Sequence, residues 1–238
     1  MRKFADLHVK LPDMSDEFLK RLGQLAKDMG LSLLGVVVSQ SIDQSQVNRI
    51  RNVFSAIGVD VAFRVDLYPR SREQLLKDLR RVRKRFEIVA VECRSPRVAT
   101  VAFRDRRVDI VSFPVKNRMK FSRSIARLHR GSLEIDVAQL VSTGELTRHF
   151  VLSRLRNEVS TAKTNHVPIV LSSGADNLFV LRAPREVAAL GTLLGLEVAE
   201  ALDSVSLIPL AIIEQNRAKL SPEYITVGVK LAKVKSNA

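Results

Sequence analysis

Residues 4–9 read FADLHV, and this stretch opens the series of strand-like runs that decides the fold. Asp6 and His8 alternate in it with apolar residues. Side chains of a β-strand repeat their direction every two residues, so a regular strand carries Asp6 and His8 on one face. The stretch therefore predicts a first strand that presents a carboxylate and an imidazole to the same surface.

Seven apolar runs with strand character recur along the chain, and segments with helical spacing separate them. The runs are Phe4–Val9, Leu33–Ser39, Val61–Leu67, Ile88–Cys93, Val108–Phe113, Leu133–Val137 and Pro168–Ser172. This alternation implies parallel strands joined by right-handed crossovers. At roughly 30 residues per strand–helix unit, the spacing favours a TIM-like α/β barrel of seven or eight parallel strands. An open doubly wound sheet is the alternative, but no Gly-x-Gly-x-x-Gly follows the first run.

Helical segments are predicted from apolar stripes and from signals at their ends. Stripes at helical spacing end at Gly30 and Gly58, and glycine after the last apolar residue commonly stops a helix. The segment Ser71–Gln74 reads as a capping box that opens a third helix. Longer helices are predicted over residues 147–165 and 207–219.

The composition predicts a globular chain with one core. With 238 residues, 46% of them hydrophobic, the chain can bury a substantial core, and we expect residues 1–238 to form one domain. Its apolar runs fall far short of the ~20 residues that span a bilayer. Asp6 soon follows the basic start, so no signal peptide is predicted. A single cysteine, Cys93, excludes an intramolecular disulfide and fits a cytoplasmic location.

The charge balance points to a polyanionic partner. Lysine and arginine number 39 against 25 acidic residues, a formal net charge of +14. Such an excess favours nucleic acid, or less strongly an acidic membrane surface. The chain has no tryptophan and only two tyrosines, so phosphate contacts are better supplied than base-stacking surfaces.

Charged residues also alternate on several predicted strands. The Asp-x-His pair of the first strand resembles the opening motif of polymerase-and-histidinol-phosphatase (PHP) metallohydrolases, but Lys10 stands where that motif has its second histidine. Asp6 and His8 are therefore interpreted as a vestigial metal motif, and neither a bound metal nor a catalytic residue is predicted. Other strands carry both acids and guanidinium groups, and guanidinium cannot ligate a metal. We expect Arg64 or Arg94 to pair with Glu92 or Glu134 where a metal cluster would otherwise lie.

Residues 168–175 read PIVLSSGA, a strand that leads into a small polar loop. Barrels often bind phosphate through the backbone N–H groups of loops after their late strands. Ser172, Ser173 and Gly174 are therefore a possible phosphate loop. An ordinary turn at the end of a strand is an equally good interpretation.

Basic residues cluster in two places. The loop after the fifth run and the start of the segment after the fourth would lie at one end of the barrel. This predicted basic rim consists of Arg94, Arg97, Lys116, Arg118, Lys120 and Arg123. The other cluster, residues 77–85, shares a helix with an apolar stripe and is typical of a solvated helix face.

Ordered motifs along nearly the whole chain resemble the archaeal ribonuclease P protein component 3 family, a relative of the eukaryotic thirty-kilodalton subunit within the PHP-like superfamily. The motifs are Asp6-Leu7-His8, Arg107-Val108-Asp109-Ile110, Phe113-Pro114, Leu133-Glu134-Ile135, Leu155-Arg156-Asn157-Glu158 with Lys163, the stretch 168–175, Leu181-Arg182, and Asn216-Arg217-Ala218-Lys219-Leu220-Ser221. No single motif is decisive, but the ordered set is specific.

The resemblance implies a PHP-like barrel that has lost its metal site. It implies a protein subunit of ribonuclease P, the ribonucleoprotein that cleaves the 5′ leader from precursor tRNA. Cleavage would belong to the RNA and its Mg²⁺, with no cofactor on this chain. Expected partners are the ribonuclease P RNA, precursor tRNA indirectly, protein component 2 in a heterotetramer, and the other protein subunits.

The residues expected to contact RNA phosphates are Arg94, Arg107, Arg118, Lys120, Arg156, Lys163 and Arg182. Arg107 and Arg156 also have a structural interpretation, since Asp109 and Glu158 lie near them in the sequence. Three other functions stay open: a PHP-type phosphoesterase with a reduced metal site, a sugar-phosphate enzyme that uses the possible phosphate loop, and an assembly scaffold.

Overall fold

The computed structural model describes residues 2–226 and 229–230. Seven parallel strands pair in chain order, each with its neighbours in the sequence. They are β1 (Ala5–Lys10), β2 (Leu33–Val37), β3 (Asp60–Leu67), β4 (Ile88–Glu92), β5 (Ile110–Ser112), β6 (Ser132–Asp136) and β7 (Ile169–Ser172). A short antiparallel hairpin, β8 (Tyr224–Thr226) and β9 (Val229–Lys230), follows. The predicted TIM-like α/β barrel is confirmed, with seven parallel strands among the described residues.

Helices fill the connections between the strands. They are α1 (Asp16–Asp28), α2 (Gln44–Ile57), α3 (Arg72–Val82), α4 (Pro96–Arg104), α5 (Arg123–Ala126), α6 (Ala138–Val141), α7 (Glu145–Thr164), α8 (Pro184–Leu193), α9 (Val198–Asp203) and α10 (Leu207–Leu220). The helices predicted over 147–165 and 207–219 correspond to α7 and α10. None of the helices within residues 2–226 has the length and apolar content needed to cross a bilayer. The end of the predicted domain, residues 231–238, lies outside the described residues.

Local signals in the sequence account for several helix ends. Ser71 caps α3 by accepting a hydrogen bond from Gln74 N, as the capping box predicts. The reciprocal bond differs from the prediction, because the Gln74 side chain accepts from the N–H of Arg70. Gly58 ends α2 with φ of +87°, a conformation that residues other than glycine rarely adopt.

The gap between β7 and β1 is bridged by main-chain contacts at both ends. At the C-terminal ends of the strands, the Lys10 N–H donates to the Ala175 carbonyl at 2.8 Å. At the opposite end, the Ala5 N–H donates to Val205 O at 3.0 Å and the Leu171 N–H donates to Ser204 O at 3.1 Å. The segment before α10 thus takes the place of an eighth strand, and the barrel is nearly closed.

Two apolar layers lie on either side of the strands. The larger layer packs the outer strand faces against the helices and contains most of the buried side chains. The smaller layer fills the N-terminal half of the barrel interior with residues such as Ala62, Ala90 and Val170, and Ile213 of α10 packs against them. Helix α10 therefore caps the N-terminal end of the barrel and leaves the C-terminal half of the interior to polar side chains.

A bulge interrupts β1 within the stretch that opens the chain. Asp6 pairs with Leu34 and Val9 pairs with Val36, so β1 has one extra residue relative to β2 over this interval. Leu7 belongs to the inner apolar layer and Val9 to the outer one, although strict alternation would place both on one face. The regular alternation assumed for Asp6 and His8 is therefore broken between them.

Gly35 of β2 accommodates this bulge. A Cβ atom at position 35 would lie 2.7 Å from both the Cα and the carbonyl oxygen of Leu7, which are main-chain atoms that cannot swing away. We expect Gly35→Ala to lower the free energy of unfolding by about 1–3 kcal/mol, the usual cost of overpacking, as measured by urea denaturation.

Gly144→Ala is the control for this prediction. Gly144 has φ of −60° and no atom within 4 Å of an added Cβ. It precedes α7, so its replacement should cost less than about 1 kcal/mol through the helix cap alone. Equal losses in the two variants would show that the bulge does not depend on Gly35.

Candidate functional site: an arginine within an acidic barrel interior

Charged side chains occupy the C-terminal half of the barrel interior. Four acids from three strands, here called the acidic interior, surround one arginine and one histidine. The acids are Asp6, Asp66, Glu134 and Asp136. Arg64 is only 1% exposed and His8 9% exposed, so both lie among these acids largely out of contact with water.

The guanidinium of Arg64 forms the centre of this cluster. Its two terminal nitrogens donate to the two oxygens of Glu134 at 2.5 and 2.7 Å, a bidentate pair. Its Nε donates to Asp66 Oδ1 at 2.6 Å, and Nη1 also reaches the Leu7 carbonyl at 3.0 Å. One cation thus links β1, β3 and β6 across the interior.

The pKa shifts keep this pair ionised. Burial by itself would lower the pKa of Arg64, but the charges of Asp66 and Glu134 raise it above its ordinary value. Burial would likewise raise the pKa of Glu134, but the Arg64 charge holds it far below its ordinary value. A buried ion pair of this geometry compensates much of the cost of removing both charges from water.

His8 lies against the same two acids. Its Nδ1 is 3.4 Å from Glu134 Oε1, and its Nε2 is 3.6 Å from Asp66 Oδ2. Neither ring nitrogen makes a hydrogen bond to another described residue. Burial and the Arg64 charge oppose protonation of the ring, but the carboxylate of Glu134, with a smaller contribution from Asp66, leaves the pKa of His8 raised.

Asp6 fastens the loop that follows β7. Its carboxylate accepts hydrogen bonds from the N–H of His8 at 3.1 Å and from the N–H of Ser173 at 3.2 Å. Burial raises the pKa of Asp6 despite these bonds. Asp6 and His8 therefore have different contacts: Asp6 accepts hydrogen bonds from the main chain, and His8 faces Glu134 and Asp66.

The possible phosphate loop lies on the acidic interior. Ser172 donates its hydroxyl hydrogen to Glu134 at 2.9 Å, and the N–H of Ser173 is taken by Asp6. Gly174 has φ of +65° and packs against the carboxylate of Asp136. A phosphate at this loop would meet three carboxylates, so the geometry disfavours the phosphate-binding interpretation, which stays a prediction.

The residues present do not fit a metal cluster of the kind that the Asp-x-His motif suggests. Within the described part of the chain, no group of three or more His, Cys, Asp and Glu side chains could hold a metal ion. Arg64 already places a positive charge between Glu134 and Asp66, where a divalent cation would be repelled. The expected pairing of Arg64 with Glu134 is confirmed.

The second expected pair joins Arg94 and Glu92 at the C-terminal end of β4. The Arg94 Nε lies 2.5 Å from Glu92 Oε1, and the guanidinium lies over the ring of Tyr68. Asn117 donates to the same Glu92 oxygen at 3.1 Å. Because Asn117 belongs to the loop after β5, Glu92 ties the two parts of the predicted basic rim together.

Arg154 of α7 holds the rim loop in place, a role that sequence patterns did not predict. Its guanidinium donates to five main-chain carbonyls between residues 113 and 119, at 2.7 to 3.2 Å. Its Nε donates to Glu158 at 3.1 Å, and Glu158 accepts from the N–H of Phe121. The i, i+4 spacing of Arg154 and Glu158 was the only available signal, and such spacing is common on helix surfaces.

The seven residues expected to contact RNA fall into three regions. Arg94, Arg118, Lys120 and Arg182 follow strands and lie on the C-terminal side of the barrel. Arg107 precedes β5 and lies on the opposite side, while Arg156 and Lys163 project from α7. The structure therefore does not bring the whole set together, and the RNA contacts themselves stay predictions.

Two of the internal pairs suggested by sequence proximity are wrong. Arg107 pairs with Asp105 at 2.6 Å, while Asp109 pairs with Arg83 at 2.6 Å. Glu158 pairs with Arg154, and Arg156 instead donates to the Leu193 carbonyl at 2.8 Å. Neighbours in the sequence point apart here because the turn of α7 and the loop before β5 direct their side chains to different surfaces.

Lys163 and Arg182 also make internal contacts. Lys163 lies 2.6 Å from Glu200 and donates to the Gly195 carbonyl, which joins α7 to the α8–α9 turn. Arg182 donates to the carbonyls of Phe179 and Leu181. Each therefore supports local structure whether or not it touches RNA.

The fold and this interior define a class: a (β/α)-barrel protein whose acidic interior is occupied by a paired arginine. Comparison with known proteins then gives the family. The family model described as RNase P subunit p30 matches residues 3–221. The chain belongs to this family, and the resemblance seen in the sequence is confirmed.

Individual relatives agree with the family match. The chain is 29% identical over 237 residues to ribonuclease P protein component 3 of Methanosarcina barkeri, covering 96% of this chain and 95% of that protein. A chain in a cryo-EM structure of archaeal ribonuclease P with mature tRNA superposes with a TM-score of 0.82 at 20% identity, covering 96% and 98% of the two chains. An amidohydrolase from Mycoplasma synoviae shares the barrel at a TM-score of 0.56 and 11% identity, covering 89% and 87%.

Replacement of Arg64 tests the role of the buried cation. We expect Arg64→Met to lower the free energy of unfolding by about 3–5 kcal/mol, because Glu134 and Asp66 would be left buried without their partner. Urea denaturation measures the change. The double variant Arg64→Met/Glu134→Gln should recover part of the loss, since it removes the orphaned charge as well.

Arg94→Met is the matched control, since its ion pair with Glu92 lies at the surface, with the Arg94 side chain 57% exposed. We expect Arg94→Met to lower the free energy of unfolding by less than about 1 kcal/mol. If Arg64→Met were no more costly than Arg94→Met, the interior would not depend on its cation.

Asp136 gives the stability a dependence on pH. Burial raises the pKa of Asp136 from 3.8 to about 6. The folded chain therefore holds a proton on Asp136 that the unfolded chain releases. The contribution of Asp136 to the free energy of unfolding falls as pH rises from about 4 to about 6, by at most about 3 kcal/mol. In Asp136→Asn this fall should disappear, and the variant should be more stable than the parent at pH above 6.

Denaturant titrations at several pH values measure this difference. Asn at position 136 keeps an oxygen for the Ala138 N–H, which Asp136 now binds at 2.8 Å. The exposed Asp176→Asn variant, in the loop after β7, serves as the control and should leave the profile unchanged. A parent-like slope in Asp136→Asn would place the titrating group elsewhere.

Proposed function

We propose that this chain is a non-catalytic protein subunit of ribonuclease P that binds the catalytic RNA through basic surfaces and helps it cleave the 5′ leader from precursor tRNA. The observation that carries the proposal is Arg64 at the centre of the acidic interior. A barrel enzyme needs open coordination or an activated nucleophile at this end of its strands. Here a paired guanidinium fills that space, while the surface carries the excess of positive charge.

The single cysteine, Cys93, is not placed to act as a nucleophile. Cys93 is fully buried, and burial raises the pKa of its thiol well above the ordinary value, so it stays protonated. The proposal assigns the cleavage chemistry to Mg²⁺ held by the RNA and assigns no cofactor to this chain.

The basic rim is the surface best prepared for RNA on the C-terminal side. Arg118 and Lys120 are exposed on the loop that Arg154 holds at five carbonyls. A loop fixed in this way loses little conformational freedom when it binds, which favours affinity. Arg94 extends the same surface from the end of β4, and Arg182 adds a cation after β7.

The protein partners are part of the same proposal. Ribonuclease P protein component 2 would pair with this chain in a heterotetramer, with the other protein subunits and the ribonuclease P RNA completing the particle and precursor tRNA contacted indirectly. Exposed apolar side chains suit such contacts: Leu146 and Phe150 on α7 are 90% and 67% exposed, and Phe179 is 91% exposed. A cytoplasmic location is proposed with the same assembly.

Reconstitution tests this function. Precursor-tRNA cleavage is measured with the catalytic RNA and its protein set, with and without this chain, over a range of Mg²⁺ concentrations. Omission should slow cleavage or raise the Mg²⁺ requirement, because the cations of this chain no longer screen repulsion between packed RNA helices. Unchanged cleavage would refute the proposal. Activity of the isolated chain that depended on added metal would instead support a PHP-type phosphoesterase.

Substitutions at the rim test the binding surface. Arg118→Ala/Lys120→Ala should weaken binding of the chain to ribonuclease P RNA and lower the salt dependence of the affinity by about 0.7–0.9 per lost phosphate contact. Fluorescence anisotropy at several salt concentrations gives the slope. Lys20→Ala/Lys27→Ala on the outer face of α1 removes the same charge and should change the slope less. Equal changes in both variants would show that charge, and not this surface, governs binding.

A further inference from the structure

A second cationic surface lies at the opposite end of the barrel. The loops that precede β4, β5 and β6, together with α10 and Tyr224, enclose a cavity of about 880 Å³. We call it the N-terminal mouth, and its charged lining consists of Arg83, Lys84, Arg106, Arg107, Asp109, Arg130 and Lys219. Its volume falls in the range of about 300–1,000 Å³ typical of pockets that hold small ligands.

Most of the cations of this mouth are not neutralised from within. Arg83 is paired with Asp109 and Arg107 with Asp105. The ion pairs of the described residues include none for Lys84, Arg106 or Arg130, although all three line the cavity. Asp109 is the only acid among the described residues of the lining, and its carboxylate is paired with Arg83.

Lys219 adds a partly buried cation to this group. Burial lowers its pKa, the charge of Asp109 partly opposes this shift, and the neighbouring Arg83 lowers the pKa further. Partial burial therefore destabilises the positive charge of Lys219, and an anion bound in the mouth would stabilise it.

The mouth also offers apolar surface beside its charges. Tyr224, one of two tyrosines in the chain, lines it together with Pro168 and Ile212. Guanidinium groups bind phosphate oxygens in bidentate fashion, and an aromatic ring accepts a stacked base of any sequence. A duplex keeps the faces of its bases stacked on one another, so a ring that stacks on a base favours a single strand.

We propose that the N-terminal mouth binds a single-stranded segment of RNA, with Arg106, Arg130 and Lys84 on its phosphates and Tyr224 against a base. This inference rests on the proposed function, and it adds a contact surface on the side of the barrel opposite the basic rim. It also gives a role to Lys84, which belongs to the basic cluster of residues 77–85 and was not among the expected contacts.

Binding of the full-length chain to a single-stranded oligouridylate of about ten nucleotides tests the proposal. Arg106→Ala/Arg130→Ala should lower the salt slope of log Kd by about 1.4, the value for two phosphate contacts on a single strand. Tyr224→Leu should weaken binding roughly 5- to 100-fold through lost stacking. Lys20→Ala/Lys27→Ala is the charge-matched control, and thermal unfolding checks that every variant is folded.

A second measurement locates the contact directly. In the reconstituted particle, acetylation of Lys84 followed by mass spectrometry should be reduced by RNA at least several-fold more than acetylation of Lys20. Equal protection of the two lysines, or an oligouridylate slope no different from that of the control variant, would overturn the proposal. Competition by polyglutamate as strong as that by oligouridylate, with no effect of Tyr224→Leu, would also overturn it in favour of an acidic protein segment.

The outcomes separate this inference from the proposed function. If omission of the chain impairs precursor-tRNA cleavage while the variants of the mouth behave like the control, only the second surface is wrong. If omission changes nothing, the proposed function fails, whatever the isolated chain does with oligouridylate.

Discussion

The bidentate contact between Arg64 and Glu134 is the interaction on which the barrel interior depends. A barrel encloses little water, so charges placed there must be paired or bonded. The guanidinium of Arg64 pairs with both Glu134 and Asp66 and also donates to the main-chain carbonyl of Leu7. The Leu7 carbonyl is directed inward within a bulge, and that bulge needs the missing side chain of Gly35. The local irregularity of β1 and the buried charges of β3 and β6 are thus one arrangement.

This arrangement has a chemical consequence. In a metal-dependent hydrolase a cluster of carboxylates and imidazoles holds a cation that can be approached by substrate. Here the cation is a side chain whose donors are directed at Glu134, Asp66 and Leu7, so the interior gains rigidity and loses an open coordination site. The proposed function therefore uses the outer surface, where loops fixed by buried contacts carry exposed lysines and arginines.

Several arginines stabilise the fold through internal hydrogen bonds and ion pairs. Arg154 gathers five carbonyls of the rim loop, and Arg217 of α10 binds both Asp60 and Glu87 at the N-terminal ends of β3 and β4. Asn216 donates to the Glu87 carbonyl from the same helix. These two residues therefore fasten α10 beneath the barrel. The positive charge of the whole chain overstates the number of cations that are free of internal contacts.

The barrel and the family could both be predicted from the amino-acid sequence, because strand and helix patterns are local and the family motifs recur along nearly the whole chain. The sequence also determined that Arg64 would need an acid, since a cation on a buried strand cannot stay unpaired. Which acid each arginine pairs with depends on the folded arrangement of the strands and helices. Glu158 pairs with Arg154 and not Arg156, and Arg107 lies on the far side of the barrel from Arg118. These outcomes depend on strand register, on the bulge in β1 and on which end of the barrel a loop occupies, and none of these is encoded in the spacing of neighbouring residues.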